Sequence, residues 1–139
     1  MSREEQNKAV VRRYQEIYNS DTLDALPEVL SPDFKPHNLM PGVPPGLAGY
    51  QMIQQGTLAA YPDFHVAIED LIAEGDKVVM RFVITGTHTG APFMGIPAAG
   101  VKIRVTGISI FQLQDGKIVE HWGEEDAAGW LAQLGAAKM

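Results

Sequence analysis

The chain has 139 residues, 45% of them hydrophobic, with 11 basic and 17 acidic side chains for a net charge of -6. That length supports one core burying roughly two-thirds of the unfolded surface, a single domain over 1–139, and the acidic balance without any basic run interleaved with aromatics argues against nucleic acid as a partner. No apolar stretch approaches the ~20 residues of a membrane span, the charged, helix-patterned start is unlike a signal peptide, and the absence of cysteine removes thiolate chemistry and disulfides, so a cytoplasmic protein working through His, carboxylates, hydroxyls or backbone dipoles is predicted.

Ser2 and Glu5 form a capping box, and Val10, Tyr14, Ile17 and Tyr18 follow at helical spacing, which predicts an amphipathic first helix. Asp21 is placed to cap a second short helix with Leu23, Leu26, Val29 and Leu30 on one face, stopped by Ser31-Pro32. Residues 41–49 are rich in Pro and Gly and read as a loop, after which Leu47, Tyr50, Thr57, Leu58 and Tyr61 predict a third helix ending before Pro62. Four β-rich runs follow at 64–73, 77–88, 101–114 and 117–123, with Gly75-Asp76 and Asp115-Gly116 as hairpin turns. The connection 89–100 is too long for a tight turn and carries Phe93, Met94 and Ile96 between glycines. It and 41–49 are the expected lid and rim of a pocket. A last helix is read over 126–134, with acidic residues at its start favouring a capping role for Asp126. Helices first and strands later predict an α+β fold of four antiparallel strands.

Side chains alternate across a strand, so parity sorts each run into two faces. One face collects Val78, Met80, Phe82, Ile84 and His88; Ile103, Val105, Gly107, Ser109, Phe111 and Leu113; and Val119, His121 and Gly123. This apolar wall with a few polar atoms suits a small-molecule pocket. The other face gathers Arg81, Arg104, Thr106, Gln112, Glu120 and Trp122, which reads as a surface between subunits of a homodimer or higher homo-oligomer.

Five stretches carry a family resemblance: Ser31-Pro32-Asp33-Phe34 with Pro36-His37; Tyr61-Pro62-Asp63-Phe64; Gly86-Thr87-His88-Thr89-Gly90; Asp115 through Trp122; and Gln133-Leu134-Gly135. In order and spacing they resemble the SnoaL-like polyketide cyclase (ester cyclase) family. The resemblance implies the nuclear transport factor 2-like cone, a cystatin-like α+β fold whose curved sheet wraps the N-terminal helices around a deep pocket. It also implies ring closure of a polyketide-like substrate by intramolecular aldol condensation, with no metal and no cofactor. In the family pattern an aspartate two residues after the histidine of the final strand moves the proton. That position here is Gly123, and the family's histidine on the preceding strand falls on Ser109.

His121, on the apolar inner face, is the first candidate for acid/base work; the alternative is a hydrogen-bonded core histidine. His37, after Phe34-Lys35-Pro36, is the second, against a solvated loop histidine. Tyr14, Phe82, His88, Ser109, Phe111 and Gly123 are the expected substrate wall, although His88, at a strand end flanked by Gly86 and Gly90, reads more readily as structural, and Glu125 shares the parity of His121 if the last strand runs on. His65 is expected at the surface. The histidines lack metal-ligand spacing, so no metal site is predicted. The readings left open are a cofactor-independent cyclase, an isomerase or dehydratase on the same fold, and a binding module for an apolar small molecule.

Overall fold

The computed structural model describes residues 2–20, 22–37, 39 and 42–135. Helix α1 (Arg3–Asn19) starts where Ser2 Oγ accepts the Glu5 amide at 3.1 Å, satisfying one of the orphan donors of the first turn. It is followed by a 3-10 helix at Leu23–Glu28, strand β1 (Leu30–Pro36), α2 (Gly46–Ala60), β2 (His65–Glu74), β3 (Lys77–Thr87), β4 (Lys102–Gln114), β5 (Lys117–Glu125) and α3 (Ala127–Gln133). The sheet order is β1-β5-β4-β3-β2. α3 is capped by Asp126, whose Oδ1 accepts the Gly129 amide at 2.9 Å.

Three expectations about the elements are corrected. The second helix is a single 3-10 segment with Pro27 inside it, and Leu30, read as part of its apolar face, instead begins a fifth strand. β1 runs parallel to β5, so the sheet is not wholly antiparallel. Ser31-Pro32 stops a helix by local rules, but the open edge of β5 offers unpaired backbone groups: Ile118 N–H donates to Val29 O and His37 N–H to His121 O, both at 2.7 Å. Pro32 and Pro36 lack an N–H and are tolerated on such an edge. The loop expected at 41–49 is also shorter, because α2 begins at Gly46. The caps read for Asp21 and the start of that loop at Pro41 lie outside the described residues.

The hairpin turns form as read. At the β4–β5 turn Asp115 and Gly116 take φ of +52° and +78°, the paired left-handed conformation that matches strand twist in a two-residue hairpin. Parity holds along β3 and β4, where Val78, Met80, Phe82, Ile84, Ile103, Val105, Phe111 and Leu113 are all buried in one core with Val11, Tyr14 and Ile17 of α1. It breaks in β5. Gln112 pairs with Glu120 but Leu113 with Ile118, so Val119 is an extra residue, and Ile118, which shares the parity of Glu120 and Trp122, is fully buried with the inner set.

Candidate functional site

A cavity of about 540 Å³ opens between the concave sheet face, α1, α2 and the connection between β3 and β4. Its base is built on directly opposed pairs of β4 and β5: Phe111 with His121, Ser109 with Gly123, and Gly107 with Glu125. Tyr14, Phe82, Ser109, Phe111, Gly123 and His121 all line it.

Two glycines shape that floor by what they leave out. A Cβ at Gly107 would lie 2.4 Å from Phe82 Cζ and 2.9 Å from the Glu124 carbonyl, so the bare position admits the Phe82 ring. A Cβ at Gly123 would lie 2.9 Å from His121 Cε1 and 3.5 Å from Ser109 Oγ. Gly123 therefore lets the imidazole lie along the sheet and bring Nε2 to 3.1 Å from Ser109 Oγ. His121 Nδ1 is buried without a hydrogen-bond partner among the described residues. The ring packs against Phe111 and Tyr50, with centroids 5.0 and 5.6 Å away. Burial, with the charge of His37 adding to it, lowers the His121 pKa from 6.5 to about 4. The apolar wall that makes a pocket also penalises the imidazolium, so at neutral pH the ring is uncharged.

His37 reaches the cavity's edge, but its ring is engaged elsewhere. It stacks on Trp122 with centroids 4.8 Å apart and planes 2° from parallel, and its Nε2–H donates to Glu120 Oε2 at 2.8 Å. His88 does not line the cavity, contrary to expectation. It is buried, its Nε2–H donates to the Ala91 carbonyl at 2.9 Å, and its ring lies 5.0 Å from that of Tyr61. The inner-face parity was right; the chain leaves the sheet at Thr87, and His88 instead pins the start of the connecting strap. His65 is exposed as read.

The strap supplies Pro92, Phe93 and Met94 to the cavity, and Val43 comes from the loop before α2. Phe93 stacks on Trp130 of α3 at 4.8 Å, and Trp130 Nε1–H donates to Tyr61 OH at 2.8 Å, fixing the strap to the last helix. Met94 remains 56% exposed at the opening.

Sequence reasoning missed Tyr50 and Gln54 as site residues. Both are buried on α2, one helical turn apart, and no local signal separates Gln54 from Gln51 and Gln55 of the same helix. Tyr14 OH and Tyr50 OH are hydrogen-bonded, and Gln54 Nε2 donates to Tyr14 OH at 3.2 Å. Desolvation raises the Tyr14 pKa to about 12 and puts Tyr50 well above its ordinary value, so both stay protonated. Glu125 ends β5 at the cavity mouth; though solvent-exposed as a residue, its carboxyl pKa is raised by partial desolvation. Among the described residues no three His, Asp or Glu side chains gather as a metal set.

The profile of the SnoaL-like polyketide cyclase family matches residues 8–134. Among solved structures, TsrD from Streptomyces laurentii superimposes with a TM-score of 0.86 at 31% identity, covering 98% of each chain. IdmH from Streptomyces antibioticus, a candidate polyketide cyclase, gives a TM-score of 0.81 at 34% identity over 94% of this chain and 99% of its own. AclR from Streptomyces galilaeus, a candidate hydroxylase, gives 0.85 at 25% identity over 98% and 89%. A search of curated protein sequences returns no significant match.

Proposed function

The chain belongs to the SnoaL-like polyketide cyclase family, and from that membership and the chemistry of the cavity we propose that it is a cofactor-independent, cyclase-type enzyme acting on an apolar carbonyl compound. The observation that carries this reading is His121: an uncharged imidazole on an apolar wall, paired through Nε2 with Ser109 and with Nδ1 unpartnered among the described residues. In the proposed reaction the imidazole takes a proton from a carbon next to a carbonyl, and the electron pair left behind delocalises onto the carbonyl oxygen. The carbanion attacks a second carbonyl carbon of the same molecule, forming the C–C bond, and the resulting alkoxide takes the proton back from the imidazolium. A base with a pKa of about 4 suits only an acidic C–H, such as one between two carbonyl groups, and the enolate it creates stabilises the imidazolium by charge pairing in a dry site. The cavity walls hold the chain folded on itself, which supplies the proximity that ring closure needs.

His37, engaged with Glu120 and Trp122, is read here as an edge residue that raises the cost of charging His121 rather than as a second acid/base. Ile72, Val79, Ile110 and Trp122 stand in register across four strands of the outer face, with Ile72 62% exposed. That apolar row supports the homo-oligomer reading. No helix among the described residues is long and apolar enough to cross a membrane; the cytoplasmic assignment is part of this proposal and rests on the sequence.

The test is turnover of a 1,3-dicarbonyl polyketide mimic by wild type and His121→Ala. General acid/base catalysis contributes about 100- to 10,000-fold, so a loss under tenfold in a folded variant overturns the assignment. Stoichiometric binding with no turnover by wild type favours the binding-module reading, which the residue at Gly123 keeps in play.

A further inference from the structure

Two phenolic hydroxyls meet at the wall of the cavity, and their hydrogens do not balance. Tyr14 and Tyr50 carry one O–H each. One hydrogen is used between them, and Gln54 Nε2–H donates to Tyr14 at 3.2 Å. The same amide also faces the Tyr50 hydroxyl, and among the described residues neither hydroxyl has a partner outside this trio, so with the amide in this orientation one O–H is left over whichever phenol donates to the other. The orientation of the amide decides whether the spare donor is a phenol O–H or an amide N–H, but does not remove it. Turned over, Gln54 would accept from Tyr14, and its own N–H groups would stand where Oε1 is now buried without a partner among the described residues. A buried donor without an acceptor costs free energy, and this one lies on a ligand cavity.

We propose that Tyr14, Tyr50 and Gln54 form a donor subsite that holds a carbonyl or enolate oxygen of the ligand beside His121. The Tyr50 ring is 5.6 Å from that of His121, so an oxygen held by the phenols leaves the adjoining carbon within the histidine's part of the cavity. The phenols are pre-paired and buried, which aims the donor before the ligand arrives. Their raised pKa values keep the O–H in place. Ligands of this class are apolar ketones, not hydrocarbons or cations. The proposal rests on the reading of the cavity as a site for carbonyl compounds, but not on catalysis by His121.

The experiment uses 2-acetylnaphthalene, carbon-13 labelled at the carbonyl, with 2-ethylnaphthalene as a shape-matched hydrocarbon. The ketone is expected to bind about tenfold more tightly to wild type, as one buried hydrogen bond allows. Its C=O infrared band moves to lower frequency than in hexane. The Tyr14→Phe/Tyr50→Phe double variant loses both the band shift and the preference, and His121→Ala keeps both. Equal affinity for the two probes, failure of the ketone to bind, or a wild-type band at the hexane position overturns the subsite without needing any variant. Loss of the shift in His121→Ala overturns it as well, by giving the carbonyl to the imidazole. If the shift persists while His121→Ala turns over normally, the subsite stands and the acid/base assignment falls.

Discussion

The imidazole of His121 occupies the space that a side chain at position 123 would need: a Cβ on Gly123 would sit 2.9 Å from His121 Cε1. The position at which the family pattern implies an aspartate is therefore already used, and the histidine and a carboxylate there exclude one another in this geometry. Gly123→Asp is expected to swing the ring off Ser109 at a cost of about 1–3 kcal/mol. It should also raise the His121 pKa toward the ordinary range by exposure and the new negative charge. An NMR titration of the His121 ring reads this directly; an unchanged pKa in the variant contradicts it.

The same histidine makes stability acid-sensitive. Its pKa is about 4 in the folded protein and near 6.5 when unfolded, so the unfolded chain binds the extra proton between those values. The contribution is present in full above pH 6.5 and is lost as the pH falls toward 4, by on the order of 3 kcal/mol. Urea unfolding at pH 7 and pH 4.5 should show a smaller acid loss for His121→Gln than for wild type. Equal losses would mean that the ring is not desolvated.

Gly107→Ala tests the other vacancy in the floor. Its Cβ would meet Phe82 Cζ at 2.4 Å and the Glu124 carbonyl at 2.9 Å, and the second of these is backbone that cannot turn aside. A destabilisation of about 1–3 kcal/mol is expected, with reduced ligand affinity as Phe82 is pushed into the cavity. Thermal melts with and without 2-acetylnaphthalene measure both, and a neutral substitution would show that the two strands can separate there at little cost.

Ile110→Asp places a charge in the outer-face row between Val79 and Trp122. If that row joins two copies, sedimentation velocity should show a homo-oligomer for wild type and a shift to monomer for the variant, with the fold intact by circular dichroism. A wild-type monomer at high concentration would dispose of the interface.

Phe93→Ala removes the ring by which the strap stacks on Trp130. The expected result is a faster ligand off-rate with a modest loss of stability, because Phe93 is only part-buried. Stopped-flow release of the naphthyl ketone distinguishes this from a general loosening, which would also lower the melting temperature sharply.

Local rules carried the reading of β3 and β4. Their alternating side chains and hairpin turns are properties of a pleated strand in register, and these alone put Phe82, Ser109 and Phe111 on the face that forms the cavity wall. The caps at Ser2 and Asp126 were legible for the same reason: each involves groups three residues apart. The resemblance supplied the cone and the departure at Gly123.

What stayed hidden depended on partners distant in the chain. Leu30–Pro36 reads as the end of a helix and becomes a strand because β5 presents an open edge nearly ninety residues later. Val119 is a bulge because Gln112 and Leu113 are joined to β5 in two different registers, which no pattern within β5 reveals. Tyr50 and Gln54 look like two polar residues on a helix until α1 brings Tyr14 against them. His121 could be found by its parity, but its pKa could not, since desolvation is a property of everything packed around the ring. The sequence by itself determined the order of elements, the two faces of the central strands and the residue types available for chemistry, because those follow from backbone geometry and short-range spacing. Tertiary structure alone decided which polar groups meet, which are left without partners and which must stay uncharged, because burial and long-range pairing are set only when the sheet closes over the helices.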